Sequence, residues 1–184
     1  MKKLMMIAAM MLAAVTVSAQ EAGQAFLKPM VGGTLTNVTK IDDSKMKLGL
    51  VAGAEVGYMF TDQVGLTAGL LYTMQGCKFK GEGDSDNLEY LNVPVLVNCY
   101  VAPGLALKAG AQVGFLMKAK NGDDDFKDDC KKVDFSIPVG LSYEFSDFVI
   151  DARYNFGLTK VYDDAGAKCK NSVIMLTLGY KIPF

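Results

Sequence analysis

Seven charged side chains stand at positions where they could pair with one another. Each lies within a segment in which apolar and polar residues alternate, and each falls in the polar set of its segment. They are Lys28, Glu55, Lys108, Glu144, Asp151, Arg153 and Lys181. Opposite charges at similar depth can form ion pairs across a closed interior. The pattern predicts a structural charge network, and the alternative is charge scattered over a solvated surface.

Arg153 is the sole arginine of the chain and lies between Asp151 and Asn155 in its polar set. We expect it to form a structural ion pair, with Glu55 as a candidate partner, since buried charges are almost always paired. The alternative reading is a gate or a selectivity residue.

A second cluster of chemically capable residues lies between residues 121 and 130. It contains the five aspartates Asp123, Asp124, Asp125, Asp128 and Asp129. Clustered carboxylates can hold Ca²⁺, but the spacing differs from that of the twelve-residue calcium loop and the closing Glu is missing. We therefore expect a solvated acidic loop without a metal.

The chain contains four cysteines, and an exported protein can oxidise them. Cys130 and Cys169 both stand where long polar segments meet alternating ones, so a disulfide between them is possible. Spacing alone cannot establish the connectivity. Cys99 is expected to be alone on an apolar face.

Composition excludes several classes of function. There is no His, which rules out a His-based catalytic triad and a His zinc site. Lys+Arg is 19 and Asp+Glu is 20, a balance that does not fit a nucleic-acid binder. No cluster of Ser stands out beside a base. We expect a protein that is not an enzyme and that uses no cofactor.

The first 19 residues have the pattern of a secretory signal peptide. Lys2 and Lys3 precede an apolar run from residue 4 to residue 17, and small residues follow before Gln20. A membrane anchor is the alternative, but the run is short for a spanning helix. Residues 20–184 are expected to form one domain.

Period-two alternation dominates that domain and predicts eight strands. The clearest segments are 90–101, 105–118, 133–145, 148–159 and 174–184, and less regular ones cover 26–38, 46–60 and 64–79. Short turns are expected at 61–63, 102–104 and 146–147, and long polar loops at 39–45, 80–87, 120–130 and 161–170. Tight turns at one end and long loops at the other are typical of an eight-stranded antiparallel up-and-down transmembrane β-barrel.

Three features indicate that the polar set of each strand faces inward. Most glycines of the strands belong to the polar sets, where a narrow interior needs small residues. The charges on these sets nearly balance, and aromatic residues end the apolar sets at the expected membrane interfaces. The rival interpretation is a soluble ligand-carrying barrel, which would place the apolar sets inside.

The last strand ends in a row of apolar and aromatic residues on one face. Tyr180, Ile182 and Phe184 resemble the terminal signal by which outer-membrane barrels are delivered to the insertion machinery. The alternative is simply a last strand that ends in Phe.

The chain resembles the small PorT-like (OmpA-type) outer-membrane β-barrel domains of Gram-negative bacteria. The resemblance rests on the runs YLNVPVLV, residues 90–97, and DARYNFGLT, residues 151–159, and it extends over residues 24–184. It implies an outer-membrane location, outer-membrane lipid and the insertion machinery as partners, and a monomer. We expect no periplasmic domain beside the barrel, and therefore no peptidoglycan anchoring.

The most direct functional expectation is a membrane scaffold that displays four loops to an extracellular or envelope protein partner. Two alternatives remain open: a narrow pore for small solutes, and an accessory component of a secretion or transport apparatus, which rests on the resemblance alone.

Overall fold

The computed structural model describes residues 22–38, 44–45, 47–75, 78–79, 86–121, 124–125, 133–160 and 170–184. The expected signal peptide at 1–19 lies outside these ranges, as do Cys77, Cys130 and Cys169. Within the described ranges, no helix is both long and apolar enough to cross a membrane.

Eight long strands form the molecule, as the alternation predicted. They are β1 (Ala25–Val38), β2 (Lys47–Met59), β3 (Val64–Gln75), β4 (Asp86–Ala102), β5 (Leu105–Asn121), β6 (Val133–Phe145), β7 (Phe148–Lys160) and β8 (Lys170–Tyr180). Each strand pairs antiparallel with the next, and β8 pairs antiparallel with β1. The sheet is therefore a closed barrel in which the chain order equals the strand order, which confirms the predicted fold class.

The three predicted tight turns join β2 to β3, β4 to β5 and β6 to β7. Gly104 in the second turn has φ +73°, a left-handed conformation that glycine adopts without steric cost. The short extension Ile182–Pro183 continues the last strand and pairs with Phe26 and Leu27 of β1. Both ends of the described barrel chain thus lie at the end with the tight turns.

The strands are longer at the opposite end than the alternation indicated. β4 begins at Asp86 and β5 runs to Asn121, which is within the segments expected to be loops. Short strands also occur at Ser44–Lys45, which pairs with Lys78–Phe79, and at Asp124–Asp125, which pairs with the end of β5. Backbone pairing therefore continues into segments that the sequence predicts as polar loops.

The two faces of the sheet are as different as predicted. The apolar sets point outward: Leu50, Leu70, Val97, Leu107 and Leu176 each expose about half or more of their surface. The polar sets point inward and are buried, with Glu55 and Asp151 each only 1% exposed. A soluble barrel would have the opposite arrangement, so the ligand-carrying alternative is wrong.

Apolar residues also fill the interior, which the alternation did not reveal. The lower apolar cluster, near the tight turns, consists of Phe26, Met59, Tyr100 and Ala106. The upper apolar cluster lies several residues further along the strands and consists of Met30, Val51, Leu71 and Met175. These side chains occupy inward positions beside glycines, because a narrow lumen accepts a large residue only next to a small one.

Adjacent glycines on β1 provide a test of this packing. A Cβ at Gly32 would overlap the Leu176 carbonyl oxygen and lie 2.6 Å from Thr177 Cα, whereas a Cβ at Gly33 would have the Gly49 oxygen as its nearest contact, at 3.8 Å. We expect Gly32→Ala to lower the folded fraction markedly, since backbone atoms must move. Gly33→Ala should leave it nearly unchanged. Heat-modifiable gel mobility after refolding in detergent measures both, and equal tolerance of the two variants would contradict the register.

Candidate functional site

The charged layer of the lumen is the most distinctive chemical feature of the described residues. We define it as Lys28 on β1, Glu55 on β2, Lys108 on β5, and Asp151 and Arg153 on β7. Each of these residues lies three to five positions from the end of its strand at the tight turns. All five side chains point inward and lie at one level of the lumen, between the lower and the upper apolar clusters.

Two carboxylates organise the layer. Glu55 accepts an ion pair from Lys28 Nζ on Oε2 at 2.7 Å and from Arg153 Nη1 on Oε1 at 2.6 Å. Asp151 receives Arg153 Nε on Oδ1 at 2.6 Å and Arg153 Nη2 on Oδ2 at 2.8 Å. The guanidinium therefore bridges both carboxylates and joins β2 to β7 across the lumen.

The two lysines complete the network from opposite sides. Lys108 Nζ donates to Asp151 Oδ2 at 2.5 Å, and Lys28 Nζ lies 3.7 Å from the same oxygen. All five side chains of the layer are nearly inaccessible to solvent. At this burial, geometry that satisfies several charges at once is required for the network to be stable.

Glycines beside the layer make room for its long side chains. A Cβ at Gly69 would lie 2.6 Å from Glu55 Cγ, and a Cβ at Gly179 would lie 3.0 Å from Lys28 Cγ. A Cβ at Gly140 would lie 3.1 Å from Arg153 Cγ. The glycine enrichment of the polar faces therefore has a direct steric explanation at this level.

A second ion pair lies below the charged layer. Lys181 Nζ is 3.0 Å from Glu144 Oε2, and Tyr100 OH donates to Glu144 Oε1 at 2.5 Å. The Lys181 ammonium also lies 4.5 Å from the centre of the Phe26 ring, within the range of a cation–π contact. This pair seals the lower end of the lumen together with the lower apolar cluster.

Neutral polar groups occupy the lumen above the upper apolar cluster. Asn92 Nδ2 donates to Thr73 Oγ1 at 2.7 Å, and Gln112 Nε2 donates to Ser136 Oγ at 3.2 Å. These amide–hydroxyl contacts link neighbouring strands. They carry no net charge and bring no nucleophile next to a base.

The other residues that the sequence analysis singled out lie on the outer face, at the lower rim or outside the described residues. Cys99 is a free thiol exposed on the outer face. Asp123, Asp128, Asp129, Cys130 and Cys169 lie outside the described residues, and for Asp124 and Asp125 only the backbone is described. Tyr180, Ile182 and Phe184 are exposed at the lower rim. There, Tyr180 packs edge-on against Phe148 with ring centres 5.3 Å apart.

Sequence reasoning missed two charged features. Asp134 on β6 faces inward near the upper end, where it belongs to the polar set of its strand but was not included among the network residues. On the outer face, Tyr72 OH donates to Glu89 Oε2 at 2.6 Å, and Lys118 Nζ lies 3.4 Å from the same oxygen. The register shift next to Glu89 brings these groups together, and no feature of the alternation marks it.

Comparison with known proteins agrees with the architecture. The family model described as outer membrane protein beta-barrel domain matches residues 20–163. No curated protein matches the chain.

Three solved structures share the fold. Ail, the attachment invasion locus protein of Yersinia pestis, has 20% identity and a TM-score of 0.53, and the match covers 88% of this chain and 99% of Ail. Neisserial surface protein A has 15% identity and a TM-score of 0.54, with coverage of 87% and 97%. OprG from Pseudomonas aeruginosa has 14% identity and a TM-score of 0.51, with coverage of 90% and 99%.

The family match locates the barrel in the bacterial outer membrane. The exposed apolar face then meets lipid, and closure of the sheet satisfies the backbone where no water is present. A strand order without crossovers, an apolar exterior and a family match over residues 20–163 lead to one assignment. The chain belongs to the outer membrane protein β-barrel domain family.

Proposed function

We propose that this protein is a monomeric, non-enzymatic membrane scaffold that displays its extracellular loops to an extracellular or envelope protein partner. One observation carries the proposal: the lumen is filled by two apolar clusters with the charged layer between them. A barrel whose interior is packed contributes stability and a platform, whereas transport needs a continuous aqueous path.

The packing of the lumen is tight at both clusters. Met59 of the lower cluster and Val51 and Leu71 of the upper cluster have no exposed surface. Solvent from the periplasm would have to displace the lower cluster and the Lys181–Glu144 pair before it reached the charged layer. These contacts favour the scaffold over a narrow pore.

Planar-bilayer recording tests the proposal. We expect the refolded wild-type barrel to give no stable conductance steps. Two variants are recorded beside the wild type. The double variant Phe26→Ala/Met59→Ala removes most of the lower apolar cluster, and the control variant Leu70→Ala changes only the lipid face. Barrel formation is checked by heat-modifiable gel mobility. Stable steps from the wild type would favour the alternative of a narrow pore for small solutes.

We further propose that the chain is a PorT-like member of its family and that its role can be that of an accessory to a secretion or transport apparatus. The runs at residues 90–97 and 151–159 support this assignment. In native envelopes, cross-linking through a cysteine introduced at Asp124 should then yield a complex that a cysteine at the periplasmic residue Asp62 does not yield. Equal products from both positions would contradict a loop-directed partner.

The outward row at the lower rim is proposed as the signal for the insertion machinery. Tyr180 and Ile182 face lipid beside Phe148, and Phe184 donates its backbone N–H to the Ala25 oxygen at 3.0 Å. Phe184→Ala should slow assembly in cells while leaving refolding in detergent unchanged. Equal slowing in both settings would indicate a purely structural role.

A further inference from the structure

The charged layer contains an excess of positive charge. It comprises three cations, Lys28, Lys108 and Arg153, and two carboxylates, Glu55 and Asp151, all nearly fully buried. The neighbouring Lys181–Glu144 pair is balanced in itself and adds no net charge. Counted at their ordinary charges, the described residues of this level therefore have one more positive than negative charge.

Apart from Glu144, which pairs with Lys181, no other described carboxylate of the lumen is close to the layer. Asp134 faces inward on the same strand as Gly140, which pairs with Arg153, but it lies six residues further up. Six residues of strand span about 20 Å. The apolar clusters on both sides of the layer separate it from bulk water, and a buried charge without a counterion is strongly disfavoured.

The position of the excess charge follows from the contacts. Arg153 uses Nε, Nη1 and Nη2 on Glu55 and Asp151. Lys108 Nζ, in contrast, has a single partner among the described residues, the Asp151 carboxylate. An ammonium group carries three N–H donors, so Lys108 retains donors that no described acceptor uses.

Unpartnered polar atoms lie on the two strands beside Asp151, the acceptor of Lys108. Ser142 pairs with Asp151 across the β6–β7 ladder and Thr177 pairs with it across the β7–β8 ladder. Both side chains are at least nine-tenths buried, and neither hydroxyl oxygen has a hydrogen-bond partner. Buried hydroxyl groups of native proteins nearly always have a partner, which is frequently a bound water or ion.

From these two observations we propose that a monovalent anion of halide size binds in the charged layer beside Lys28 and Lys108, with nearby hydroxyl groups as further donors. One such ion makes the layer neutral, whereas a divalent anion would reverse its charge. The inference does not use the proposed scaffold role, because it concerns only the occupancy of the lumen.

Bromide provides a direct probe, since its anomalous scattering identifies it in a crystal. In crystals of the full chain grown in sodium bromide, we expect one bromide within hydrogen-bonding distance of the Lys108 or Lys28 ammonium. Lys108→Met, which makes the layer neutral, should lose that bromide. Lys118→Met, which changes an exposed lysine on the outer face, should retain it.

A measurement in solution tests the same bromide binding independently of the crystal. At constant ionic strength, replacement of gluconate by bromide should raise the urea midpoint of the wild type and leave that of Lys108→Met unchanged. A bromide concentration 100 times the dissociation constant would shift the folding equilibrium about 100-fold. If Lys108→Met does not fold, Lys108→Gln replaces it.

Two results would overturn the proposal. Bromide found only at exposed lysines would be an adventitious ion only. A lumen of the wild type without bromide, together with equal midpoints in the two salts, would mean that the layer is neutral without an anion. Both readings come from the wild type and do not depend on the folding of a variant.

Discussion

Asp151→Asn is expected to lower the free energy of unfolding by about 3–5 kcal/mol, the usual range when one member of a buried charge cluster is removed. The Asp151 carboxylate is the acceptor for Lys108 and for two nitrogens of Arg153. The amide keeps the shape of the carboxyl group and removes its charge, which leaves Glu55 as the only carboxylate for three cations. Urea unfolding of the refolded barrel, followed by circular dichroism because the chain has no Trp, measures the loss.

A matched control and a second variant make this prediction sharp. Glu89→Gln changes a carboxylate that pairs with the exposed Lys118 on the outer face, so its effect should stay below about 1 kcal/mol. The double variant Asp151→Asn/Lys108→Met restores the net charge of the wild-type layer. It should therefore be more stable than Asp151→Asn alone, because contacting residues are not additive. A double variant less stable than the single would refute the charge account.

Leu176→Arg is expected to cost about 2–4 kcal/mol, the value typical of Arg on the lipid face at the bilayer midplane. Leu176 exposes 57% of its surface and pairs with Ala152 of β7. Ala152 is equally far along β7 from Phe148 at the lower rim and Phe156 toward the upper one. The arginine would therefore enter the hydrocarbon near its centre, and unfolding from lipid vesicles measures the penalty.

The control for this second prediction is a position on the same face that lies nearer to the membrane surface. Leu158 is exposed on the same outer face, two residues beyond Phe156 and nearer to the headgroups. Leu158→Arg should cost at most about 1 kcal/mol. Similar small losses for both variants would show that this face is not embedded in lipid. Cysteines placed at Val95 and Thr177 offer an independent check, because Val95 faces lipid and the buried Thr177 faces the lumen.

The alternating pattern predicted more than the number of strands. It located the three tight turns and assigned residues such as Glu55 and Asp151 to the inward face, because side chains of a strand point alternately to opposite sides. It failed at the upper ends of β4 and β5, where pairing continues through polar residues. It also failed at three apolar residues on the polar faces. Met59 packs in the lower apolar cluster, and Val51 and Leu71 pack in the upper one, only once the barrel closes.

The partners within the charged layer illustrate the same division. Alternation predicts that Glu55 and Arg153 both face inward, which is compatible with an ion pair between them. It cannot show that Arg153 reaches Glu55 from β7, or that Lys108 reaches Asp151 from β5, since these contacts join strands that are not neighbours in the sheet.

The amino-acid pattern by itself therefore determined the strands, their faces and the membrane-facing exterior, all of which follow from local periodicity and from the need to satisfy the backbone in lipid. Closure of the barrel decided the rest. Only the register and stagger of the eight strands bring distant inward positions to one depth, and this depth decides which charges meet and which apolar residues fill the lumen.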